Sequence, residues 1–465
     1  MMTLTIARKE LTELVRDGRF RLTAGIVLAL ILGAMWTGWK NYSDVSRDQQ
    51  LAQKETRQDW LTQGVKNPHS AAHYGVYAFK PKLPLSFIDQ GTDPYTGVAV
   101  WLEAHKQDDF QYRPAQDANS LQRFGNLSAA AVLQILVPLL ITLLTFSAFA
   151  GERESGTMRQ LLSLGVRRDV LGYGKAVGIA AALALLLVPA ALAGSALLVF
   201  TETSDSASTL GRIAVLAGSY LLYFGAFTAL ALAISARART SRMALLCVLA
   251  LWIVNCLIAP RAAVDLAKRI DPTPSSFTFT QDLQRDLAHD GDMDQFKRDV
   301  LKKYGVDSVE KLPVSYRGLS LAKGEENGAI VFDRHYNDLW DRFERQNRTQ
   351  QRTSIAAPLL AVRSLSMALA GTDFDQHRHF ATAAESYRRF FISRINEDIT
   401  ANDVKPGSVY TRGNDLWAKI PEFHYEAPDL AHVLGQQVWS LAILVLWCAG
   451  AIAFAVFSVR RVQPE

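Results

Sequence analysis

The run FAGERESGTMRQLLSLGV, residues 149–166, concentrates reactive side chains at the edge of an apolar stretch. Glu152, Arg153 and Glu154 offer two carboxylates and a guanidinium for charge-assisted hydrogen bonds. Gly156, Thr157, Met158, Leu161 and Leu162 follow, and Arg168 and Lys175 close the segment with positive charge. No recognised nucleophile-and-base signature is spelled out here, and these residues suit docking rather than bond making.

Thr157 and Gln160 fit a capping box, which predicts a helix of about two turns over 158–164. Gly165 then eases a chain reversal. Met158, Leu161 and Leu162 share one small apolar face, and a helix this short must dock on something to persist. Glu152 and Glu154 precede the helix, where its dipole favours carboxylates. Pairing with arginines of a partner and a plain solvated turn both satisfy them.

Other chemistries find little support. GYGKA at 172–176 lacks the first glycine of a phosphate-binding loop and ends in Ala176 where a hydroxyl is needed. Any nucleotide that drives this chain is therefore hydrolysed by another polypeptide. A G-x-S-x-G signature does not occur, so an enzyme is not expected, and neither catalytic nor cofactor-binding residues are assigned. His377 and His379 form an H-x-H pair, but H-E-x-x-H is absent and both long hydrophilic segments lack cysteine, so no metal site is expected. His69, His73, His105 and His335 read as scattered surface or core residues, with Glu103 and His105 helping to order the first hydrophilic segment. Tyr387, Phe390 and Phe391 read as core aromatics.

The elements that position the 151–175 segment are apolar. The chain has 465 residues and 49% hydrophobic composition, with a mean hydropathy of +0.05 that averages two populations. Six windows, 22–39, 129–150, 176–200, 213–236, 243–259 and 433–459, contain no Asp, Glu, Lys or Arg and approach the length a bilayer demands. The expectation is an all-α membrane protein with six transmembrane helices.

Basic residues flank alternate ends of these windows. Arg8, Lys9, Arg16, Arg19 and Arg21 precede the first; Arg153, Arg159, Arg167, Arg168 and Lys175 lie between the second and third. Arg237, Arg239 and Arg242 lie between the fourth and fifth, and Arg460 and Arg461 follow the sixth. The short loop at 201–210 carries Glu202 and Asp205 and no basic residue. The positive-inside rule then makes both termini cytoplasmic. A cleavable signal peptide fits poorly, because LGAMWTGWK offers no small-x-small site.

By this topology residues 40–128 and 260–432 form two periplasmic inserts, the first mixed and irregular, the second mostly helical. Cys247, Cys256 and Cys448 all lie in spans, so disulfides cannot hold the inserts. Ile6, Leu11, Leu14 and Val15 give residues 1–21 an amphipathic helix, suited to the inner membrane surface or to a partner. The spans hold no acid, base or histidine, which argues against an ion-coupled carrier; Asn255, Gln436 and Gln437 suit helix-to-helix hydrogen bonds. The net charge of +5 resides mostly in the cytoplasmic loops and calls for no nucleic acid.

The order E-R-E-x-G-T, a leucine pair, a basic turn and a downstream lysine resembles the cytoplasmic loop of ABC transporter type-2 permeases. HYGVYAFKPKLPLSFID, DPYTGVAVWLEAHKQDD and RFGNLSAAAVLQILVPLL are similar to the branch known as multicopper-enzyme maturation permeases, whose members have large external inserts after the first and fifth spans. The resemblance covers most of residues 1–180 and the topology of the rest. It departs where this chain reads SLGVRRD, since the family often has a proline and a serine after the leucine pair.

What the resemblance implies is a permease dimer, of identical or related subunits, seated on two ATP-binding subunits that hold ATP and magnesium. The 151–175 loop would be the coupling segment, through Glu152, Arg153, Glu154, Gly156, Thr157, Met158, Leu161, Leu162, Arg168 and Lys175. Spans two and five would line the path. The expectation is an exporter or extractor in a bacterial inner membrane, and a membrane-anchored periplasmic receptor or scaffold is the alternative.

Overall fold

The computed structural model describes residues 2–117, 127–201, 206–288, 291–404 and 409–463. Glu202 and Asp205 lie outside the described residues. Six helices are long and apolar enough to cross a membrane: Gly18–Thr62, Ala129–Glu154, Arg168–Val199, Ala207–Arg237, Ser241–Ile270 and Leu430–Arg460. Each contains nearly all of one charge-free window, and the protein is an all-α membrane protein.

The first span starts where the Asp17 carboxylate accepts the Arg19 N–H at 2.8 Å. It then runs 45 residues without a breaker, about 68 Å at the rise of an α-helix. A bilayer core takes up less than half of that. The remainder carries Trp60 into the insert region.

Spans two and five each contain a π-helical stretch, Val132–Leu136 and Val254–Ile258, shortly before Pro138 and Pro260. Proline has no N–H, so the Gln134 carbonyl, four residues before Pro138, lacks its usual intrahelical donor. Tyr223 of span four donates its hydroxyl to that carbonyl at 3.0 Å and accepts from Asn255 at 3.1 Å. In this way one phenol ties spans two, four and five together. Tyr223→Phe should destabilise the detergent-solubilised protein by about 1–2 kcal/mol, read by chemical denaturation, because it leaves a buried carbonyl and a buried amide with only the weaker contacts of the Cys256 sulfur. An unchanged midpoint would show that the carbonyl is satisfied in another way.

The two inserts do not form separate domains. Trp60, Ala71 and Val100 share one core with Phe391, Ile395 and Trp417. Trp60 donates its indole N–H to the Trp417 carbonyl at 3.1 Å, and Trp417 donates to the Gly64 carbonyl at 3.0 Å. The backbones of Lys66 and Arg412 also pair across the inserts. A three-stranded antiparallel sheet, β1 (Val76–Phe79), β2 (Ala99–Glu103) and β3 (Lys106–Gln107), packs on helix Phe374–Asn402. Phe391 of the aromatic patch is buried in this core, Tyr387 packs on it and Phe390 is exposed.

The boundary of the second insert needs one correction. Helix Pro358–Ala370 places Leu359, Val362, Leu365 and Leu369 in the same core as Leu140, Tyr223 and Leu444 of the spans. Trp439 and Trp447 of span six donate to the Gln351 and Ser354 carbonyls at 3.1 Å each. Asn255 accepts the Leu359 N–H at 3.2 Å, and Gln437 accepts from Ser364 and Ser440 at 2.9 Å. Residues 351–370 thus dip into the bundle and return. They do not read as a span in the sequence, because Arg363 interrupts the apolar stretch and 13 helical residues are too few to cross a bilayer.

Helix Met2–Arg16 packs along span three rather than waiting for lipid or a partner. A Cβ at Gly174 would lie 2.5 Å from Ile6, and one at Gly178 would lie 2.6 Å from the Glu10 Cβ. The two glycines, four residues apart, allow the helices to approach closely.

Candidate functional site

The 151–175 segment lies at the end of the bundle that also holds helix Met2–Arg16 and residues 462 and 463. Span two ends in a turn at Phe146–Phe149 that Ser235 of span four holds. Its hydroxyl accepts the Phe149 N–H at 3.0 Å and donates to the Phe146 carbonyl at 2.8 Å. One turn of helix, Ala150–Glu154, then presents the charged residues.

Those charges are used inside the chain. Glu152 accepts from Lys175 at 2.7 Å and lies 3.4 Å from Lys9. Lys175 also contacts the Glu10 carboxylate closely, and its side chain is only 1% exposed. Burial alone would lower the Lys9 pKa, but hydrogen bonding to Glu13 and the charges of Glu10, Glu152 and Glu13 outweigh it and hold the ammonium at about 12. Arg153 donates to the Ala236 carbonyl at 2.9 Å, to the Ala238 carbonyl and to the Gln463 carbonyl at 3.3 Å. A guanidinium there satisfies the open carbonyls and negative end of span four. Glu154 accepts the Ser241 N–H at 3.0 Å and its hydroxyl at 2.6 Å, which caps span five. Arg168 donates to the Val462 carbonyl at 2.9 Å.

The following helix, Thr157–Ser163, corrects the capping expectation. Gly156 is the cap residue at φ +76°, and Thr157 is already helical. The Thr157 hydroxyl meets the Ser155 hydroxyl at 2.9 Å, so Gln160 is not paired with it as a capping box requires. Gly156 takes the position because the chain must turn sharply out of the preceding helix, with positive φ that threonine disfavours. The other end agrees with expectation. Gly165 has φ +79°, Val166 N–H reaches the Leu161 carbonyl at 3.1 Å and Gly165 N–H reaches that of Leu162 at 3.1 Å.

Met158 is fully buried, and Leu161 and Leu162 pack partly on the same core. What faces outward is Arg159, Gln160, Ser163 and Leu164, with Leu164 79% exposed. The structure therefore turns Glu152, Arg153, Lys175 and Met158 inward and exposes a different set. The sequence reading missed Glu10, Ser235, Ser241 and Leu164. Glu10 falls one helical turn from Ile6, on the face that packs against Gly174 and Gly178, while Glu13 stays exposed; the sequence holds both acids and does not tell them apart.

Within the bundle an apolar cavity of about 690 Å³ is lined by Met35, Leu183, Leu187, Leu216, Phe224 and Val459, among others. Its walls come mainly from spans one, three, four and six.

The histidines divide differently from expectation. His377 is buried against Phe110, and burial pushes its pKa down to about 3, with Lys80 and Arg113 adding to the effect. His379 instead hydrogen-bonds the Tyr425 hydroxyl at 3.0 Å, so the H-x-H pair does not form one site. His69, His73 and His105 are not scattered: their ring nitrogens lie within 4.8 Å of one another in the insert domain. Burial, then the neighbouring His105 and His73, lower the His69 pKa to about 4.

A family model described as ABC-2 family transporter protein matches residues 4–462. Over 126 residues the chain is 36% identical to a Pseudomonas aeruginosa protein described as a probable ABC transporter permease protein, NosY. That match covers 27% of this chain and 46% of the relative, so it spans less than half of the relative's length.

Proposed function

Because the chain belongs to the ABC-2 family of transporter proteins and is a transmembrane permease, we propose that helix Thr157–Ser163 seats a separate ATP-hydrolysing subunit. The assembly then drives export, or extraction at the far face of the membrane. The observation that carries this reading is the contrast between the two sides of the short helix. Its rear is clamped to the rest of the bundle, and its front presents the exposed Leu164 beside Arg159 and Gln160.

That arrangement suits force transfer. Glu152 connects the segment to helix Met2–Arg16 and span three, Arg153 to span four and the C-terminal tail, and Glu154 to span five. A push on the short helix therefore reaches several span ends together and biases one arrangement of the bundle over another. ATP and magnesium belong to the partner in this scheme. A second permease copy, or a close relative, completes the path between spans two and five. The basic residues at this end support a cytoplasmic placement for it, with both termini, in a bacterial inner membrane. The joined insert domain then stands on the periplasmic side.

A photo-cross-linking residue at position 164 tests the reading in the intact chain co-expressed with a candidate ABC ATPase of the same organism. The expected result is one adduct with that ATPase, absent when the probe is placed at the exposed Val438 near the insert end of span six. The joined insert domain also suits a receptor or scaffold without transport, in which case position 164 captures no ATPase while the chain still inserts normally.

A further inference from the structure

His69 and His73 stand four residues apart on helix Pro68–Tyr74, a spacing that puts both on one face. His105 comes from the tip between β2 and β3. The Ala104 N–H bonds to the Ala72 carbonyl at 3.1 Å, which draws that tip against the helix. His105 adopts φ +70°, one of two non-glycine residues with positive φ among the described residues. Such a conformation is strained for a residue with a Cβ and persists where surrounding contacts impose it.

The ring geometry is specific. His69 Nε2 lies 3.2 Å from His73 Nε2 and 3.5 Å from His105 Nε2. Nitrogens bound tetrahedrally at the usual metal–imidazole distance are separated by about 3.3–3.4 Å, so these two spacings bracket that of a shared ion. Behind the site, Glu325 Oε1 accepts from His105 Nδ1 at 2.9 Å and from its backbone N–H at 2.6 Å. This fixes the proton on Nδ1 and turns the Nε2 lone pair toward the other rings. Arg388, itself buried, holds Glu325 at 3.1 Å and bonds the Glu103 carbonyl at 3.0 Å.

We propose that His69, His73 and His105 bind one late first-row divalent ion, zinc or copper(II), through their Nε2 atoms, with Glu325 as the positioning residue for His105. Three imidazoles without carboxylate or carbonyl ligands suit these ions and not calcium or magnesium. His73 and His105 are exposed, so a further coordination position can face solvent. The site stands on the insert domain's geometry and is independent of how the chain meets an ATPase.

The test uses the full chain in detergent, purified without an oligohistidine tag. Zinc chloride is titrated against a chromophoric chelator, and copper(II) sulfate is followed by electron paramagnetic resonance. One ion per chain is expected, with nitrogen hyperfine splitting in the copper spectrum. His73→Ala should weaken binding more than about a hundredfold and alter the splitting, and Glu325→Gln should weaken it about 10–100-fold. An unchanged melting curve for His73→Ala separates lost ligation from lost folding. Absence of stoichiometric binding of either ion, or binding that survives His73→Ala and His105→Ala together, overturns the assignment.

Discussion

Lys175→Met should be the most destabilising single change at the candidate site. Its ammonium is almost wholly buried and faces two carboxylates, Glu10 and Glu152. Methionine keeps most of the side-chain volume but leaves two acids facing each other with only the half-exposed Lys9, 3.4 Å from Glu152 and 3.6 Å from Glu10, to balance them. Removing one partner of a buried ion pair costs about 3–5 kcal/mol, because an uncompensated charge stays behind. Helix Met2–Arg16 should then loosen from span three, and trypsin should cut earlier at Arg8, Lys9 and Arg16. Substituting all three as Glu10→Gln, Glu152→Gln and Lys175→Met should restore much of the stability, since a neutral set carries no desolvation penalty for charge. A Lys175→Met protein that unfolds and is digested like the parent would show that the cluster is open to water.

Leu164→Asp should have the opposite profile. Leu164 is 79% exposed, so its loss should change stability by less than about 0.5 kcal/mol. Burying a leucine at an interface contributes about 1.5–3 kcal/mol, and a carboxylate there adds a desolvation cost. Affinity for the ATPase should fall at least about ten- to a hundredfold, since each factor of ten corresponds to about 1.4 kcal/mol. Permease-stimulated ATP hydrolysis should fall with it. Intact stimulation in this variant would falsify docking through the Thr157–Ser163 helix. Deleting 153–165 is a poorer probe, because it also removes the Arg153 and Glu154 clamps and the buried Met158.

The spans were legible because the bilayer imposes a one-dimensional requirement, a long run without charge, that any reader of the sequence can apply. Pro358–Ala370 escaped the same criterion: its 13 residues answer to packing against Tyr223 and Leu444, not to membrane thickness. The position of the short helix was legible from Gly165 and the leucine pair. Its start was misread because Thr157 and Gln160 carry a capping pattern whose use depends on chain direction at Gly156. The two inserts read as separate domains because hydrophilic patterning reports burial along one segment and is blind to which distant segment supplies the other half of a core.

What the sequence determined by itself is therefore local: six helices, the reversal at Gly165, the basic asymmetry and the absence of a phosphate-binding loop. Each follows from side-chain solvation or backbone freedom over a few neighbouring residues. Only the tertiary structure decided what each charge faces. Glu152 could have met a partner's arginine or its own chain's lysine, and Lys175 chose because span three brings it within 2.7 Å. His69 and His105, 36 residues apart, approach because β2, which leads to His105, pairs with β1, the strand that follows the helix of His69. Electrostatic and coordinative interactions depend on distance in space, and separation along the chain places no bound on that distance until the fold is complete.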